Sequence, residues 1–95
     1  MVQASSEHAT ADAQVAMPAD VDLHARPAAE FVRTAMRFSS EVWVAVGERE
    51  ANAKSLLSIL ALGARRGTSL RLRAEGADAA IALETLAAAV SQLRD

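Results

Sequence analysis

Near the C-terminus, Ala79, Ala82, Leu83, Leu86, Val90 and Leu93 recur at the three- and four-residue spacing of one helical face. A stripe this apolar has to be buried against another element. Its alanines lower the entropy lost on ordering side chains and let the helix lie close to whatever it covers. Asp78, just before the stripe, is a residue type that caps helix starts, so the pattern predicts a helix from Asp78 to about Leu93. Upstream the period falls to two. Leu70, Leu72 and Ala74 alternate with Arg71 and Arg73, which predicts a strand over Ser69 to Ala74 with the arginines outward. Val42, Val44 and Val46 alternate in the same way with Trp43 and Ala45. Gly47-Glu48 suits a two-residue hairpin turn, so Arg49 to about Ala53 is expected to return antiparallel. Trp43 is expected to cover sheet edge or core rather than to hold a ligand.

Two shorter helical patterns lie between these strands. Pro27 suits a first helical turn, where its missing N–H has no partner to lose. Ala28, Phe31, Val32, Ala35 and Met36 share one face behind it, which predicts a helix from about Arg26 to Phe38, broken by Ser39-Ser40. Lys54-Ser55 opens a second helix that ends near Gly63. There Leu56, Ile59 and Leu62 are expected to face inward, and Leu57 and Leu60 outward. Either the outward pair marks a partner surface or the short helix is buried on most sides. A strand is expected over Gln14 to Met17, a loop over Pro18 to Asp22, and turns at Arg65-Arg66-Gly67 and Gly76-Ala77. The order is β-α-β-β-α-β-α. A four-stranded sheet with its helices on one face buries all these stripes, and an antiparallel sheet tolerates an open face carrying Arg71, Arg73 and Trp43.

Composition narrows the function. At 95 residues the chain is read as one domain, residues 14–95, preceded by a tail over 1–13 without the basic start or apolar run of a signal peptide. His8 lies in that tail and is read as a solvated bystander. The absence of cysteine excludes a disulfide framework, a thiolate zinc site and a cysteine nucleophile, and fits a reducing compartment. A net charge of −2 argues against a general nucleic-acid binder. No run approaches the roughly 20 apolar residues of a membrane span. Asp20, Asp22 and His24 are too loosely arranged for a metal site, and within the domain no second histidine is available as the base of a serine triad.

What stands out is His24, set just before the first helix. The amides and positive dipole end of a helix start make a natural phosphate site. A neutral imidazole is a nucleophile that can attack phosphorus, and Arg26 offers a planar fork suited to phosphate oxygens. The residues therefore admit a phosphoryl acceptor, beside the plainer reading of a helix cap or surface histidine.

Leu23-His24-Ala25-Arg26-Pro27-Ala28 resembles the active-site segment of the HPr family, the histidine phosphocarriers of the bacterial sugar phosphotransferase system. Asn52 through Gly63 resembles that family's second helix with its regulatory serine, here Ser55, and Gly67-Thr68 through Glu75-Gly76 resembles its last strand and turn. The three segments keep the family's order and spacing, and the resemblance runs from about Gln14 to Leu93. It implies an α+β, HPr-like open-faced β-sandwich: a four-stranded antiparallel sheet covered on one face by three helices. It further implies a monomeric cytoplasmic carrier without cofactor or metal, a phosphotransfer intermediate rather than a stand-alone catalyst. On this reading enzyme I, charged from phosphoenolpyruvate, phosphorylates the δ1 nitrogen of His24, Arg26 steadies the phosphate, and sugar-specific IIA domains take it away. Leu56, Leu57 and Leu60 would dock these partners, ringed with positive charge by Arg26 and Lys54, and by Arg33 and Arg65. Ser55 would be the target of an HPr kinase/phosphorylase. The alternative is a regulatory protein of the same fold, in a nitrogen-related branch or acting through phosphorylated Ser55. The chain departs from the family at Asp22, where glycine is usual. Glycine would permit a positive φ, which Asp tolerates better than most residues, and Asp22 places a negative charge near the phosphate.

Overall fold

The period-two stretch becomes the centre of the molecule. In the computed structural model, which describes residues 9–94, β4 (Ser69–Glu75) lies between β1 (Thr10–Ala16) and β2 (Glu41–Val46), and β3 (Arg49–Asn52) completes an antiparallel sheet in the order β1-β4-β2-β3. The register stacks apolar residues in rows across the sheet. Ala13, Leu72, Val44 and Ala51 form one row, and Ala11, Ala74 and Val42 the next. Leu70, Leu72, Ala74, Val42 and Val44 are buried, as their alternation predicts.

Helices α1 (Ala25–Ala35), α2 (Leu56–Leu62) and α3 (Ala79–Ser91) cover that face. The alanine-rich stripe lets α3 pack on β1 and β4, with Ala82, Leu83, Leu86 and Val90 buried. Full burial of a side chain such as Leu86 stabilises by about 1.5–3 kcal/mol. Phe31 from α1 and Ile59 from α2 fill the remaining core, and α1 packs against both other helices. The opposite face is open. There the Arg73 guanidinium lies 4.3 Å from the Trp43 ring centroid and 3.6 Å from Glu50, so Trp43 does cover sheet rather than core. Arg71 donates to the Gly47 carbonyl at 2.7 Å.

Several boundaries move. Residues 1–8 of the expected tail, His8 included, lie outside the described residues. Residues 10–13 belong to β1, pairing Thr10 with Glu75 and Ala13 with Leu72. Alanine supplies the inward positions there, so the alternation shows too little hydropathy contrast to read. The first helix ends at Ala35 rather than Phe38, Met36 being its C-cap. Leu56 is not an inner residue of α2: it is 40% exposed, because it opens a helix whose buried face is only Ile59 and Leu62. Leu60, expected outward, is half-buried and packed against the core. Asp78 stands at the start of α3 without a side-chain cap bond to it. Its carboxylate instead accepts the N–H groups of Ser39 and Ser40, both at 2.9 Å, and the Ser40 hydroxyl. Gly76 is required beside this contact: its φ is +146°, and a Cβ there would fall 2.8 Å from the Ser40 Cα.

Candidate functional site

His24 is the N-cap residue of α1, exposed, with extended backbone (φ −105°, ψ −163°). Its carbonyl accepts the Ala28 N–H at 2.8 Å, which starts the helix. Its side chain makes no capping bond, and the first turn holds no acidic residue. The positive end of the helix dipole is therefore neither capped nor neutralised from within the turn. Pro27 is buried and anchors the turn, while Ala25 and Arg26 stay exposed beside His24.

The loop carrying His24 is fixed from behind. Met17 N–H donates to Thr68 O at 2.8 Å, Gly67 N–H to Pro18 O at 3.0 Å and Leu23 N–H to Ala64 O at 2.9 Å. Buried Val21 and Leu23 hold the same loop to the core. Asp22 adds a side-chain contact: its carboxylate accepts the Arg66 N–H at 2.7 Å, and the Arg66 Nε lies 3.6 Å away. The Arg66 amide, against a smaller opposing effect of burial, holds the Asp22 carboxyl below its ordinary range, helped by the positive charges of Arg66 and Arg65. Among the described residues only glycines have positive φ, so Asp22 occupies its position without the left-handed backbone a glycine would allow.

These contacts bring Arg65 and Arg66 to the His24 loop. Arg26 opens instead onto a cavity of about 310 Å³ that it shares with Glu30, Gln92 and Arg94, between α1 and the end of α3. Arg66 and Arg94 were missed from sequence; the pair Arg65-Arg66 was a legible signal, whereas the placement of Arg94 depends on how α3 ends.

Ser55 and Lys54 are elsewhere. The Leu23–Ala64 bond ties the start of α1 to the end of α2, and Lys54 Nζ donates to the Phe38 carbonyl beyond the other end of α1. The two helices therefore run antiparallel, and the 11 residues of α1, about 16 Å of helix, lie between His24 and the Lys54 region. Lys54 is half-buried with its ammonium turned to that carbonyl, not to a rim around His24. Arg33 also sits in the last turn of α1. Ser55 is the N-cap of α2: its Oγ accepts the Ser58 N–H at 3.2 Å and donates to Ser58 Oγ. Between the two ends, Leu57 is 80% exposed. Among the described residues no helix is long and apolar enough to cross a membrane.

The chain is similar to known proteins over most of its length. Residues 11–92 match the family model described as the PTS HPr component phosphorylation site. The phosphocarrier protein HPr of Buchnera aphidicola is 41% identical over 80 residues, 84% of this chain and 94% of that protein. A multiphosphoryl transfer protein of Xanthomonas campestris is 44% identical over 71 residues, 75% of this chain but only 8% of the larger protein. Among solved structures, a phosphocarrier protein HPr from Bacillus anthracis superposes with a TM-score of 0.82 at 38% identity, covering 86% of this chain and 98% of that one.

Proposed function

The chain belongs to the HPr phosphocarrier family of the phosphotransferase system, and from that premise we propose that His24 accepts a phosphoryl group from enzyme I and passes it to sugar-specific IIA domains. The observation that carries the reading is the start of α1, where an exposed histidine occupies the cap position without a side-chain cap bond and the first turn holds no acidic residue. The δ1 lone pair of His24 attacks phosphorus, and a P–N bond forms. The bond from phosphorus to enzyme I breaks and leaves its electron pair on the donor atom. Hand-on to a IIA domain is the same exchange in the opposite sense, so no water or cofactor is consumed. First-turn amides and the dipole's positive end stabilise the phosphate oxygens, and Arg26, two residues on, adds a charge-assisted contact.

Leu57 supports a docking role for the outer face of α2, with Leu56 at its edge. An apolar centre with Arg26 and Arg65 toward the His24 end suits acidic partner surfaces. At Ser55 a kinase would have to displace the hydroxyl from its bond to the Ser58 N–H, so phosphorylation there would rebuild the start of α2 rather than fill a vacant one. The presence of His24 favours the carrier reading over a purely regulatory one. Incubation with enzyme I and labelled phosphoenolpyruvate is the test. The wild type should acquire acid-labile, base-stable phosphate, and His24→Ala none; labelling retained in that variant would end the proposal.

A further inference from the structure

Among the contacts that hold the His24 loop to the 64–68 turn, the others join backbone to backbone, whereas Asp22 reaches Arg66 with its side chain. The carboxylate has two separable properties. As an acceptor it anchors the Arg66 amide at 2.7 Å and so fixes Arg65 and Arg66 beside the loop. As a charge it stands two residues before His24, with Arg66 Nε 3.6 Å from the same oxygen as its counter-charge. We propose that Asp22 is a positioning residue that also sets how readily the carrier gives up its phosphate: it fixes the basic turn against the acceptor loop, and its negative charge raises the free energy of the phosphorylated state. This rests on His24 being the acceptor.

The physical argument concerns which state the charge acts on. A phosphoryl group on His24 brings negative charge to a site that lacked it, and Asp22 repels that charge. The unphosphorylated imidazole meets no such penalty. The carboxylate therefore lowers the equilibrium constant for acceptance and raises that for hand-on by the same factor. Arg65 and Arg66 offset part of this, and both are exposed, so solvent and salt screen the whole effect. A residual effect of about two- to fivefold on the equilibrium is the size expected for exposed charges.

Asp22→Asn separates the two properties, since the amide oxygen keeps an acceptor for the Arg66 N–H and the charge is gone. Wild type and variant are brought to equilibrium with enzyme I, labelled phosphoenolpyruvate and pyruvate at low salt, and the phosphorylated fraction is read. Asp22→Asn should melt like the wild type yet shift the equilibrium about two- to fivefold toward phosphocarrier, and the shift should shrink in high salt. Asp22→Gly should shift it in the same direction while slowing acceptance, because the anchor is lost as well. Wild-type equilibrium constants in both variants, or a shift indifferent to salt, would overturn the inference. A wild type that takes no label at all removes the acceptor reading itself, a result distinct from labelled variants that match the wild type.

Discussion

Helices α1 and α2 both begin on a residue with extended backbone, His24 at φ −105° and Ser55 at φ −110°, but the two starts are finished differently. At α2 the Ser55 hydroxyl accepts the Ser58 N–H, so part of the helix end is satisfied within the chain. At α1 the cap position holds a side chain that makes no such bond, and Pro27 merely removes one donor. The start of α3 is a third case, where Asp78 turns away from its own helix to join it to Ser39 and Ser40. Stability alone would favour Ser, Thr, Asp or Asn at all of these positions. Placing histidine at one of them leaves stabilisation unrealised, and on the proposed reading a phosphate supplies it.

His24→Ala should break the comparison most completely. Phosphoryl acceptance should disappear while the melting temperature stays within about 2 °C, because no cap bond is lost with the ring. Labelling and a thermal melt on the same preparation read both halves. Asp78→Ala should do the opposite, lowering stability by about 1–3 kcal/mol through the amides it leaves without their acceptor, with acceptance intact at saturating enzyme I. The Ser40 hydroxyl, followed by the Ser39 amide, holds the Asp78 carboxyl at about 2, below its ordinary 3.8. A depressed carboxyl stabilises the fold above its ordinary value, and the contribution fades as the pH falls from about 4 through about 2. Urea titrations across that range should show the loss in the wild type and a smaller one in Asp78→Ala.

Along α2 the contrast is between its half-buried and exposed leucines. Leu60→Ala should destabilise by about 1–2 kcal/mol. Leu57→Ala should leave the melt unchanged and raise the apparent KM of enzyme I for the carrier; equal melting losses in the two would remove the docking surface. Ser55→Ala should lower stability by about 1 kcal/mol without slowing acceptance at His24. A small gain in stability should come from His24→Asp, which installs a capping side chain and should stabilise the fold by about 0.5 kcal/mol while abolishing acceptance. If that variant melts below the wild type, the idea of an unfinished helix start fails.

The elements legible in the sequence were those whose period survives in hydropathy: the α3 stripe, the alternations of β2 and β4, and the turn between Val46 and Arg49. Pro27 and the stripe behind it located the start of α1, and with it His24. What stayed hidden depends on distance along the chain. Asp78 meets Ser40 across 38 residues and Asp22 meets Arg66 across 44, and no periodicity registers such pairs. Local rules gave Asp78 the nearest role available, a cap, when a better set of donors lay on another loop. Leu56 and Leu60 were misplaced for a related reason. In a seven-residue helix the first turn hangs over the edge of the core, so angular position alone does not decide burial.

The backbone bonds that tie residues 17–23 to the 64–68 turn also bear on speed. A surface loop with its amides engaged in this way should exchange hydrogen slowly at Leu23 and Gly67, unlike a mobile loop tip. Under the proposed function the carrier meets a donor and then a recipient. With the backbone of the His24 loop already ordered, neither encounter would require a loop to be frozen on contact, so little conformational entropy would be lost at docking. Association can then run at the rate set by diffusion and charge steering, and the partners can part as readily as they met.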